Sequence, residues 1–302
     1  MRQKLNDKVV LITGAARGIG AETARRLVAK GARVSLVGLE PGRLAQLAGE
    51  LGERAVWFEA DVTDQDAVVG AVEGTVAAFG GVDVVLANAG IANNGTVAVS
   101  PADALVRTLE VNLIGVVRTV SGALPRVTER RGYVCIVSST AAFTMIPGMS
   151  AYAASKAGVE QFANCLRLEV AHKGVKVGSV HPGWIDTDLV RDHRADLKTF
   201  DAAIEKFPYP LNATTSVEDC ADAIVDGIER RRSRVYVPKA IAGVQALRTV
   251  FTGPIASWII RREARRLVPQ LEAELTALGR HFGSSSVALT PGAAEERETL
   301  AS

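Results

Sequence analysis

Val9-Val10-Leu11-Ile12-Thr13-Gly14-Ala15-Ala16-Arg17-Gly18-Ile19-Gly20 reads as a strand, a glycine-rich turn and the opening of a helix running from Ile19 to Lys30, with Gly31 as its stop signal. Glycines at such a turn allow a sharp reversal, a close approach to a ligand and tight packing of helix on strand. The helix N-terminus meanwhile offers unpaired N–H groups to an anion. The spacing is Gly-x-x-x-Gly-x-Gly, distinct from the general Gly-x-Gly-x-x-Gly fingerprint. A glycine turn alone is also a common way to end a strand with no ligand. Its place after a first strand and before a helix is the context expected of a dinucleotide site.

Outward from that turn, short β-branched runs alternate with helical patterns. Strands are expected at Arg33 to Val37, Ala55 to Phe58, Val82 to Leu86, Tyr133 to Val137, Val175 to Val180 and Arg234 to Val237. Helices are expected from Pro41 to about Leu51, from a cap at Thr63 to Phe79, from Pro101 to about Pro125 and from Ser150 to about Lys173. A further helix is capped by Ser216, with Asp219 three residues on. Strands apolar throughout and separated by helices imply an α/β fold, a doubly wound parallel sheet of seven strands whose ligands bind at the strands' carboxyl ends. Residues 188–212 show no clear period and contain Phe207-Pro208-Tyr209-Pro210, the pattern of a long irregular segment.

With 302 residues, 48% of them hydrophobic, the chain can bury a large core. A net charge of +2, spread along the chain, does not suggest nucleic acid. Cys135, Cys165 and Cys220 lie far apart in apolar or helical contexts and read as reduced core residues; His172, His181, His193 and His281 lack metal-ligand spacing. No metal is expected. The polar start Met1-Arg2-Gln3-Lys4 carries no signal-peptide pattern, so a cytoplasmic protein is expected, and the Asn-x-Thr triplets at Asn94 and Asn212 carry no weight.

Chemistry enters at Ser139 and at Tyr152-Ala153-Ala154-Ser155-Lys156. On a helix, Tyr152 and Lys156 sit at i and i+4 on one face. A phenol titrates near pH ~10, so it accepts a proton at neutral pH only with a cation such as Lys156 to stabilise the phenolate. Ser139, at the end of an apolar strand, is placed to hold a substrate oxygen while Tyr152 moves its proton. The same Tyr and Lys spacing also occurs as a plain solvated pair.

Together these residues resemble the short-chain dehydrogenase/reductase family, in the branch with Thr-Gly-x-x-x-Gly-x-Gly and Tyr-x-x-x-Lys, over about Lys8 to Val237. The resemblance implies a Rossmann fold in residues 1–240 and an NAD(P)-dependent oxidoreductase acting on a ketone or secondary alcohol. Its catalytic set would be Asn112, Ser139, Tyr152 and Lys156, with Asn112 kinking its helix and holding a water in a proton relay. Cofactor contacts carried over are Gly14, Arg17, Gly18, Ile19, Gly20, Gly38, Leu39, Asp61, Val62, Asn88, Ala89, Gly90, Tyr152, Lys156, Pro182, Gly183 and Thr187. Ala87 stands where the family usually has an Asn before its Asn-Ala-Gly motif. NAD and NADP both stay open: Gly38 and Leu39 occupy the end of the second strand without a carboxylate, Arg17 suits a 2′-phosphate, and Glu40 points back toward NAD. The resemblance also implies a homo-oligomer, a dimer or tetramer paired through the helices of Asn112 and Tyr152.

Phe143, Met145, Met149 and Trp184 flank the catalytic residues and would line an apolar pocket suited to a steroid, terpenoid or acyl-chain substrate. Residues 241–282 form a helical C-terminal extension. Pro254, Gly253 and Arg248 exclude a membrane span, leaving a helix on an anionic membrane surface, or a cap over the substrate mouth or against a second subunit. Residues 283–302, rich in Ser, Ala, Gly and Glu, read as a disordered tail. The competing class is a non-enzymatic dinucleotide-binding sensor or scaffold; epimerase chemistry on nucleotide sugars goes with a different glycine spacing.

Overall fold

The computed structural model describes every residue except Met1, Lys206, Thr252 and residues 288–302. Its elements, in chain order, are β1 Val9–Thr13, α1 Gly18–Ala29, β2 Arg33–Gly38, α2 Pro41–Leu51, β3 Ala55–Glu59, α3 Gln65–Phe79, β4 Val84–Ala87, α4 Ala102–Leu109, α5 Gly115–Glu129, β5 Tyr133–Val137 and α6 Ser150–Glu169. There follow β6 Lys176–Pro182, β7 Trp184–Ile185, α7 Asp188–Asp196, α8 Lys198–Glu205, β8 Thr214–Thr215, α9 Val217–Glu229, β9 Arg234–Val237, α10 Ile241–Ala246, α11 Arg248–Phe251, α12 Pro254–Leu278 and α13 Ser284–Val287.

Seven strands pair in parallel in the order β3-β2-β1-β4-β5-β6-β9. The doubly wound α/β fold is therefore present. Its cause shows in β1: Val10 and Ile12 join one apolar cluster with Leu27 of α1 and Ile224 of α9, while Leu11 joins another with Val120 of α5 and Val159 of α6. Both faces of the strand are covered, so alternation of polar and apolar residues disappears. Strand order reverses between β1 and β4, and that switch point opens a crevice at the carboxyl ends.

Several expectations are corrected. The cap of α3 is Asp64, whose Oδ1 accepts from the N–H groups of Asp66 at 2.8 Å and Ala67 at 3.2 Å; Thr63 precedes it. The helix expected from Pro101 to Pro125 is α4, a π-helical turn over Glu110–Ile114, and α5, which runs on past Pro125. The helix of Tyr152 ends at Glu169 and is followed by a 3₁₀ turn, Ala171–Lys173. Residues 188–212 hold α7 and α8, and β7 pairs with β8 in a small parallel sheet. Cys135 and Cys220 are buried, whereas Cys165 is exposed.

The extension is three helices. Leu271 and Leu275 of α12 pack with Met149, Leu197, Phe200 and Ile204, and Glu274 accepts from the Thr199 backbone N–H and hydroxyl. Leu247, Val250 and Trp258 are exposed. Among the described residues no helix is long and apolar enough to cross a membrane. The expected tail begins with the ordered helix α13; residues 288–302 lie outside the described residues.

Candidate active site

The glycine turn closes the N-terminal side of a cleft of about 220 Å³ at the switch point. Gly14 has φ +65, and a Cβ there would lie 2.8 Å from Ala89 Cα; a Cβ on Gly20 would lie 2.3 Å from the Gly14 carbonyl oxygen. Helix α1 can start this close to the sheet only with hydrogen at both positions. Its N-cap, Arg17, makes no capping bond, which leaves helix-start N–H groups for an anion. Asn88 staples β4 to this turn: its Nδ2 donates to the carbonyls of Thr13 at 3.0 Å and Gly14 at 3.1 Å.

Gly14, Arg17, Gly18, Ile19, Gly38, Leu39, Asp61, Val62, Asn88, Ala89 and Gly90 all line this cleft, as do Tyr152, Lys156, Pro182, Gly183 and Thr187. Gly20 does not; it acts behind the wall, in the packing just described. Burial pushes the Asp61 carboxyl up, but the Thr63 N–H at 2.8 Å and Arg107 at 2.9 Å outweigh it and hold the carboxyl below its usual range. Arg107 lines the cleft without having been anticipated, since it arrives from α4 with no motif around it. Arg17 donates through Nε to Glu40 at 3.0 Å and through a terminal nitrogen to the Ser285 carbonyl at 2.6 Å, and lies 3.7 Å from Asp188. Glu40, Asp188 and Ser286 are further lining residues. A crevice along the strand ends with an uncapped helix start at one end fits a dinucleotide.

The catalytic candidates converge at the inner end. Ser138 Oγ donates to the Lys156 carbonyl at 2.8 Å, tying α6 to the end of β5. Lys156, 3% exposed, donates from Nζ to the Val137 carbonyl at 3.0 Å, and burial brings its pKa down to about 8. Its Nζ lies 5.6 Å from the centre of the Tyr152 ring. Burial pushes the Tyr152 phenol up, and the Ser139 hydroxyl pulls the other way. Ser139 Oγ accepts from the Ala141 N–H at 3.1 Å, which fixes the hydroxyl at the head of the turn after β5.

Asn112 sits in the π-helical turn, fully buried. Its Oδ1 accepts from the Ile91 N–H at 2.8 Å, and its Nδ2 donates to the Ile91 carbonyl at 2.8 Å and to Ser155 Oγ at 3.3 Å. One Oδ1 lone pair is left over. A Cβ on Gly90 would lie 3.2 Å from that oxygen and 3.5 Å from Lys156 Nζ, so Gly90, Asn112 and Lys156 meet at one point.

Beyond Tyr152 lies a second cavity, of about 350 Å³. Phe143, Met145, Met149 and Trp184 all line it. So do Phe207 and Leu211, from the segment 188–212 that resembles the family's substrate lid, and Ile241, Val244 and Ile260, from the extension for which a cap over the substrate mouth was one expectation. No Asp, Glu, Lys or Arg is among its described lining residues. Trp184 is held by its Nε1 donating to the Leu211 carbonyl at 2.9 Å and by the edge of Phe200, ring centres 5.7 Å apart. The two cavities share Ser139, Tyr152, Gly183, Leu189 and Val190.

Residues 8–198 match the family model described as short chain dehydrogenase. The cis-4-hydroxycyclohexanecarboxylate dehydrogenase of Sinomonas cyclohexanicum is 34% identical over 74% of this chain and 90% of its own length. The putative oxidoreductase SadH of Mycobacterium tuberculosis is 37% identical over 80% of this chain and 89% of its own. The glycine betaine reductase ATRR of Emericella nidulans is 35% identical over 73% of this chain, which spans only 17% of that longer protein. With the glycine turn, the cleft and the clustered Ser139, Tyr152 and Lys156 in place, the chain belongs to the short-chain dehydrogenase/reductase family of NAD(P)-dependent oxidoreductases.

Proposed function

We propose that this protein interconverts a neutral, lipophilic ketone and its secondary alcohol, with NAD(H) as hydride carrier. The observation that carries the substrate reading is the cavity of about 350 Å³ beside Tyr152, apolar and without a charged wall. A name among the relatives, a dehydrogenase of a hydroxylated cyclohexane carboxylate, agrees with a secondary ring alcohol. The uncharged lining argues against a carboxylate on the substrate here, because a buried charge without a partner is costly.

When bound, the nicotinamide supplies or takes up the hydride. Ser139 holds the substrate oxygen, and Tyr152 gives its proton to the carbonyl oxygen in reduction or takes it from the alcohol in oxidation. Burial keeps the phenol protonated, the state that reduction requires. The Lys156 ammonium stabilises the phenolate once the proton has left, and the spare Oδ1 lone pair of Asn112 is free to hold a relay water beside it. NAD is favoured over NADP because Glu40 stands at the cleft beyond β2, and Arg17 is already answered by Glu40 and Asp188. Ile241, Val244 and Ile260 make the extension a cap over the substrate cavity. For assembly we assign pairing to the α4–α6 face, where Val106, Ile114 and Leu168 are exposed.

The test is consumption of NADH and NADPH at 340 nm (the nicotinamide absorbance band) with small polar, steroidal and medium-chain ketones. Turnover of an apolar ketone with NADH is expected. Tight cofactor binding with no turnover of any ketone would return the reading to a dinucleotide-binding sensor.

A further inference from the structure

After α12 the chain turns back to the dinucleotide cleft. Ser286 is 4% exposed and lines that cleft. Ser285 sends its carbonyl to Arg17, on the glycine turn, at 2.6 Å. On the opposite wall, Asp192 of α7 accepts from the Ser285 N–H at 2.7 Å and from the Ser284 hydroxyl at 3.1 Å. Arg280 pairs with Asp196 of the same helix, and the Asn94 N–H donates to the His281 carbonyl at 2.7 Å. Phe282 is buried among Val62, Ile91 and Val111. Residues 280–286 therefore bridge the two walls between which a dinucleotide would lie: the β1–α1 turn on one side and α7 on the other.

One detail separates this from ordinary surface packing. Gly283 is packed so that a Cβ would lie 2.7 Å from the Asp192 Cβ. The segment thus reaches Asp192 only by lacking a side chain at this point. Burial pushes the Asp192 carboxyl up, yet its bonds to Ser285 and Ser284 bring it below the usual range, so it serves these bonds as a carboxylate.

We propose that residues 280–287 form a strap across the dinucleotide cleft, anchored by Arg17 and Asp192, and that its release limits how fast bound cofactor leaves. The strap rests on the dinucleotide reading of the cleft. It makes the end of the extension part of the cofactor site, although no family motif reaches that far.

The experiment uses the full chain and NADH fluorescence, with Kd from titration and the release rate from stopped-flow displacement by excess NAD. Asp192→Ala removes one anchor, and Gly283→Ala displaces the strap by driving a methyl against the Asp192 side chain while keeping its carboxylate. Circular dichroism and melting of the cofactor-free proteins establish that both variants fold. Release about tenfold faster in both variants is expected, the size of one lost charge-assisted hydrogen bond, with association unchanged or faster. Exchange of the Ser285 amide hydrogen, followed in the wild type, should slow when NADH saturates the protein. If folded variants lose thermal stability while release stays within twofold of wild type, the segment is structural only and the strap is overturned. If the wild type binds neither NADH nor NADPH, the functional reading itself fails, a result distinct from binding with unaltered release.

Discussion

Two cavities meet at Tyr152 and are built by opposite means. The dinucleotide cleft is walled chiefly by residues at and just beyond the ends of β1, β2, β3, β4, β5 and β6, which neighbour one another because strand pairing puts them there. The substrate cavity is walled by large apolar side chains gathered from the turn after β5, from β7 and the start of α7, from the segment before β8 and from the extension. One depends on the sheet and the other on how later helices happen to pack against it. Changes at the first should therefore strike cofactor binding or chemistry for every substrate, and changes at the second should sort substrates by size and polarity.

The largest expected effect falls where the cavities join. Tyr152→Phe should lower ketone turnover by at least ~10²-fold, the usual contribution of one general acid/base, while NADH affinity measured by fluorescence stays within about twofold. Retained turnover would remove Tyr152 from the mechanism. Next is the substrate side: Ile241→Ala should cost about tenfold in kcat/KM for a lipophilic ketone and leave a small polar ketone nearly unaffected. Equal losses for both would mean that α10 supports the fold and not the cavity. On the cofactor side, Glu40→Gln removes one charge near the site of a 2′-phosphate. It should shift the ratio of NADPH to NADH affinity by about 1 kcal/mol, or roughly fivefold, toward NADPH.

The smallest effect at neutral pH grows in acid. Burial holds His181 and His193 at pKa values of about 4, so both are neutral in the folded protein. His181 Nε2 lies 2.9 Å from Ser179 Oγ, with its ring stacked on Tyr236 and near Phe143 of the substrate cavity; His193 meets Asn94. A depressed folded pKa gives stability that is present above the ordinary value of about 6.5 and is lost as pH falls toward about 4. Melting temperature should thus hold from pH 8 to 7 and fall between pH 6.5 and 4, as stability drops by up to about 3 kcal/mol per histidine. Binding of an apolar ligand should fail at higher pH than binding of NADH. The reverse order would place the acid-sensitive packing on the wrong side of Tyr152.

The same contrast explains what was legible beforehand. The glycine turn, Asn88-Ala89-Gly90 and Pro182-Gly183 are local signals whose geometry is set within a few residues, and the structure brings them to one cleft. Arg107, Ile260 and Ser286 carry no local signal; only tertiary packing delivers them. Thr63 and Asp64 are adjacent and both suited to capping, so composition could not choose between them. In α7 the polar run Arg191-Asp192-His193-Arg194 hides the helix, although Leu197, Phe200 and Ile204 just beyond it have helical spacing and are buried together. A kink at Asn112 was expected from the resemblance; its π-helical form, and the Ile91 backbone that Asn112 bonds from there, were not.

The mounting of Trp184 also has an optical consequence. The chain has three tryptophans, and Trp57 and Trp258 are 39% and 61% exposed. Trp184 alone among them lines the substrate cavity, with its indole N–H committed to the Leu211 carbonyl. Emission from the two exposed indoles should be reduced by a water-borne quencher such as acrylamide, leaving the partly shielded Trp184 as the residual signal. That signal should change when an apolar compound enters the cavity, so the protein carries its own fluorescent reporter for finding ligands before any substrate is known.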